Sequence, residues 1–79
     1  MALERQAVEV QHCTITEPTG LYMRTEPTTA AAIITTFPVG TPLEFVAVVF
    51  GENIAGNPCW AHAPQAYYFW LGGTNRPNG

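Results

Sequence analysis

The sequence contains no lysine, and its three cationic residues, Arg5, Arg24 and Arg76, lie far apart. Phosphate recognition needs clustered cationic side chains, so no nucleic-acid partner is expected. Charge of either sign is scarce, 11% of residues with a net of -3, where an ordinary domain carries about a quarter. Two cysteines, Cys13 and Cys59, allow at most one bridge, too few for a disulfide-built scaffold. No apolar run reaches the roughly 18 residues of a membrane helix, so no membrane span is expected. The opening Met1-Ala2-Leu3-Glu4-Arg5 lacks the basic region and apolar stretch of a signal peptide.

Long proline-free stretches are also missing. Pro18, Pro27, Pro38, Pro42, Pro58, Pro64 and Pro77 punctuate the chain, and proline inside a helix costs about 3 kcal/mol. No helix of length is therefore expected after His12. What is present is apolar content of 47% in 79 residues. That is too much for disorder and enough for one small domain. Such a domain buries only about 60–65% of its unfolded surface, so its margin over chain entropy is thin.

Residues 1–11 read as an N-terminal arm or short helix, because Leu3, Ala7 and Val10 recur at helical spacing. Residues 12–74 read as a barrel, and 75–79 as a tail or linker. Within the barrel the β-prone runs are 13–16, 20–24, 32–37, 43–50, 60–63 and 66–71. The strongest alternates Leu43, Phe45, Ala47 and Val49 with Glu44, Val46, Val48 and Phe50. Both of its faces are apolar after Glu44, so it is either buried on both sides or partly an interface. Gly51-Glu52-Asn53 and Ala55-Gly56-Asn57-Pro58 carry turn chemistry. The fold expected is all-β, a small SH3-like barrel of five to six short strands, with a possible helical turn at the N-terminus.

Specific segments go further. Gly20-Leu21-Tyr22-Met23-Arg24-Thr25-Glu26-Pro27-Thr28-Thr29 resembles the opening motif of bacterial SH3-like (SH3b) domains. Ile33-Ile34-Thr35-Thr36-Phe37-Pro38-Val39-Gly40-Thr41 is similar to the family's next strand and turn, and residues 43–51 to its long central strand. Asn57-Pro58-Cys59-Trp60 and Tyr68-Phe69-Trp70-Leu71-Gly72-Gly73-Thr74 resemble its closing segments. The resemblance implies a non-catalytic binding or targeting module for cell-wall peptide or glycan, of the kind attached to bacterial or phage wall hydrolases. It also implies an extracellular or envelope location when so attached. This chain departs from the pattern at Tyr22, Glu26, Phe50, His62 and Tyr67, with fewer charges and more aromatic surface than relatives carry.

The ligand-binding candidates are Tyr22, Arg24, Glu26, Tyr67 and Trp70. In Tyr67-Tyr68-Phe69-Trp70, alternation puts Tyr67 and Phe69 on one face and Tyr68 and Trp70 on the other. One pair belongs to the core, and the other is free to stack on a ligand, cover the barrel end or self-associate. Val46, Val48 and Phe50 form a candidate face for a homo-oligomer. His12, Cys13, Cys59 and His62 are metal-ligand types, but the odd spacing within each pair sends the side chains to opposite faces of a strand. Neither a metal nor a cofactor is expected, and no carboxylate pair compels acid–base catalysis. The alternative function is a symmetric homo-oligomer, such as a tetramer, with a small-molecule or enzymatic site at the subunit interface. Glu17, Glu26, Tyr22 or His62 would then be repeated by symmetry.

Overall fold

The computed structural model describes residues 4–79, with side chains from Glu9 onward. Six strands follow in order: β1 (Glu4–Thr14), β2 (Leu21–Arg24), β3 (Ile33–Phe37), β4 (Pro42–Ile54), β5 (Asn57–His62) and β6 (Tyr68–Trp70). A 3-10 turn, Leu71–Gly73, follows β6. All pairings are antiparallel in one sheet of order β1-β4-β5-β6-β2-β3. The sheet curls into a half-barrel, the all-β SH3-like architecture expected from the sequence. Among the described residues no helix is long and apolar enough to cross a membrane.

Among the described residues the N-terminal helical turn is not formed. Ala7 and Val10 lie within β1, and Leu3 falls outside the described residues. The reason is visible in the register. β1 pairs with β4 at Gln6↔Ala47 and again at Gln11↔Phe45, so residues 7–10 of β1 stand opposite Val46 alone. A bulge of this kind shifts the apolar spacing away from simple alternation. Pairing along β4 outweighs the weak helical propensity of so short a segment.

One core fills the concave side. Met23, Phe45, Phe69, Leu71 and Ile15 are buried in it, with Leu21, Leu43, Val48 and Cys13. Opposite the β1 bulge, the core-facing side of β4 steps from Phe45 to Val48, an odd interval. Ala47 and Val49 are buried as well, so β4 is covered on both faces here. Val48 is only 7% exposed and does not belong to a surface row. The expected face of Val46, Val48 and Phe50 is thereby reduced to exposed Phe50 and half-buried Val46.

Two connections also differ from the sequence reading. Gly51-Glu52-Asn53 is part of β4, and the chain reverses only at Ala55 and Gly56. Their φ angles of 52° and 85° define the tight turn whose twist suits a β-hairpin. The last residues are not a free linker. Thr14 N–H donates to Asn75 Oδ1 at 2.8 Å, and Asn75 N–H donates to Thr14 O at 3.0 Å. Arg76 donates to Gln11 Oε1 and His12 O, and Asn57 donates to Pro77 O.

Candidate functional site

The segment between β2 and β3 is a loop that cannot bury its own backbone, so it must borrow partners. It finds them on the far end of the β4–β5 hairpin. Glu52 N–H donates to Pro27 O at 2.9 Å. Glu52 Oε1 accepts from Thr29 Oγ1 at 2.6 Å, Thr29 N at 2.7 Å and Thr28 Oγ1 at 2.9 Å. The inner side of the loop is held by Arg24, whose Nη1 donates to Thr29 O and Ala31 O, each at 3.0 Å. Gly51 lies under this contact. A β-carbon there would sit 2.3 Å from Pro27 O and 2.9 Å from the Trp60 ring.

The docked loop leaves a groove of about 220 Å³ between itself and the sheet. Trp60 forms its buried floor, and Leu21, Tyr22, Arg24, Thr29, Ile54 and Trp70 complete the walls. Both indole N–H groups are used inside the fold. Trp60 Nε1 donates to Glu52 O and Trp70 Nε1 to Asn57 O, each at 2.9 Å. The Trp70 ring lies on Gly72, where a β-carbon would sit 2.2 Å from the indole. The tryptophans therefore present fixed apolar faces. Tyr22 is 50% exposed, and the Arg24 guanidinium carbon stands 5.0 Å from its ring centre, within cation–π range.

Hydrogen bonds from the Thr29 side chain, then from its backbone and from Thr28, hold the Glu52 carboxyl below the usual range. A depressed carboxylate pKa adds stability above its unfolded value, about 4.3. That contribution disappears as the pH falls through the folded value. The Thr29 amide resonance is therefore expected to move on acidification, with a midpoint below that of an ordinary glutamate. In Glu52→Gln it is expected to start displaced and stay flat. A wild-type midpoint at or above the ordinary glutamate value contradicts the latch.

Of the five ligand-binding candidates, Tyr22, Arg24 and Trp70 meet in this groove. Glu26 is exposed on the loop and does not line it. Tyr67 belongs to a different groove with His12, Phe37 and Glu44. Alternation along β6 sends Phe69 into the core with Tyr67 packed beside it. Tyr68 and Trp70 take the other face, where Tyr68 stacks on His62 at 4.5 Å and 11°. Thr29, Ile54 and Glu52 escaped the sequence reading, since no spacing links the loop to the hairpin. Cys13 and Cys59 are both free thiols, and burial pushes the Cys13 pKa up. Among the described residues no three His, Cys, Asp or Glu side chains converge.

The fold and groove define a class, an all-β half-barrel with an aromatic cleft under a latched loop. No family model, curated protein or solved structure matches the chain.

Proposed function

We propose that this chain is a non-catalytic binding module that holds an extended cell-wall peptide or glycan in the Tyr22–Trp70 groove. The observation that carries it is the pairing of a half-exposed Tyr22 with a Trp70 ring fixed on Gly72, beside the positive charge of Arg24. Flat aromatic faces backed by rigid supports bind with little loss of side-chain entropy. The segments resembling SH3b domains supply the ligand class. Arg24 orients a carbonyl or carboxylate from the edge, while the rings stack on sugar or peptide planes.

Purified cell walls test the reading. The wild-type protein is expected to be retained, and Tyr22→Ala to bind about 10–30-fold more weakly, as for a central aromatic contact. Tyr22 lies on the surface, so the variant is expected to unfold with the wild-type transition. Absence of wild-type retention removes the cell-wall assignment. Undiminished retention of the variant removes the groove.

The second reading is a symmetric homo-oligomer with a small-molecule or enzymatic site between subunits. Exposed Phe50, at 48% accessibility, favours it. A strictly monomeric species in concentrated sedimentation runs eliminates this reading.

A further inference from the structure

The aromatic cleft leaves Tyr67 unexplained. Tyr67 lines a second groove of about 290 Å³ that shares no residue with the first. It forms where the end of β3 and the start of β4 meet β1 and the loop before β6. Phe37 and Tyr67 are half-buried and packed against the core, so their rings are held in place. Pro42 and Leu43 add an aliphatic wall, and Glu44 adds a carboxylate. Glu44 is exposed and stands directly across the β1–β4 ladder from His12. Its carboxylate makes no hydrogen bond or ion pair with the described side chains.

The chain brings no cation to this carboxylate from its described arginines. It has no lysine. Arg24 holds the β2–β3 loop, and Arg76 is bonded to Gln11, His12 O and Gly79 O. Burial, and then the negative charge of Glu44, raise the Tyr67 phenol pKa. The phenol thus stays neutral beside the carboxylate. Two aromatic rings, an aliphatic wall and a carboxylate with no cation beside it among the described side chains match a cationic group on an aliphatic chain. Ammonium ions are drawn to ring faces and to carboxylates, and methylenes to apolar walls.

We propose that this second groove binds a primary ammonium on an aliphatic chain, such as a lysine side chain. The groove volume suits one side chain rather than a larger ligand.

Nα-acetyl-lysine N-methylamide and its uncharged norleucine counterpart, titrated at pH 8 into the ¹⁵N-labelled chain, separate charge from shape. The lysine compound is expected to give saturable shifts at Phe37, Glu44 and Tyr67, and the norleucine compound none. Glu44→Gln is expected to weaken lysine binding by about tenfold or more. Glu44 is exposed, so this substitution leaves the core untouched. Equal shifts from both compounds, no saturation at the solubility limit, or undiminished binding by Glu44→Gln overturns the assignment. His12→Ala tests whether His12 is instead the counterpart of Glu44. Unchanged or tighter lysine binding supports the open carboxylate, and lost binding overturns it.

Discussion

Trp60→Ala is expected to leave most of the population unfolded at 25 °C. Truncating a buried tryptophan costs about 3–5 kcal/mol. A single core this small rarely supplies more than about 3–5 kcal/mol in all. Trp60 is 1% exposed and pairs with Val49 on one side and Trp70 on the other. Its indole also supplies the hydrogen bond to Glu52 O, so truncation leaves that carbonyl without its donor. Trp60→Phe keeps most of the buried area and is expected to lose only about 1–2 kcal/mol. Urea unfolding of the three proteins measures this order. A loss under about 1 kcal/mol for Trp60→Ala would mean that the sheet does not rest on this ring.

Gly51→Ala is the second large effect, and its origin is space rather than backbone conformation. The added methyl would meet Pro27 O at 2.3 Å and Pro27 Cβ at 2.6 Å. Neither is a flexible side-chain tip, so the loop must move away. Overpacking of this sort costs about 1–3 kcal/mol. The damage is also local. Displacing Pro27 lengthens the Glu52 N–H to Pro27 O bond and loosens the three bonds at Glu52 Oε1. Hydrogen exchange at the amides of Glu52 and Thr29 is expected to quicken well beyond what the change in global stability explains. Uniform acceleration across the sheet would instead make the effect global and refute a local loop displacement.

Most strands were legible because their side chains obey alternation. Leu21 and Met23 point into the core while Tyr22 points out, and Leu43 and Phe45 behave alike. Legibility failed where one strand answers to another far along the chain. The helical spacing of Ala7 and Val10 gives no helix, because this segment pairs with β4 across a bulge opposite Val46. Burial of Val48 has the same origin, since the odd step along β4 occurs opposite that bulge. Glu52 looked like a turn residue because Gly and Asn flank it. Its partners, Thr28 and Thr29, come from a loop more than twenty positions earlier. Tyr22 and Trp70, two of the ligand-binding candidates, line one groove, but the loop before β6 carries Tyr67 to a separate one. Aromatic type was readable in one dimension, whereas sharing a cavity was not.

The partners of β1 bear on the order of assembly. β2–β3 and β4–β5 join neighbouring segments and close short loops. β1 has no such neighbour. Thr14 pairs with Pro42, Glu4 with Val49, and the strand end is clamped by Asn75 and Arg76. Closing loops of that length costs more entropy than closing a hairpin, and distant contacts slow folding. β1 is therefore placed to dock late. It joins a sheet already built from residues that follow it.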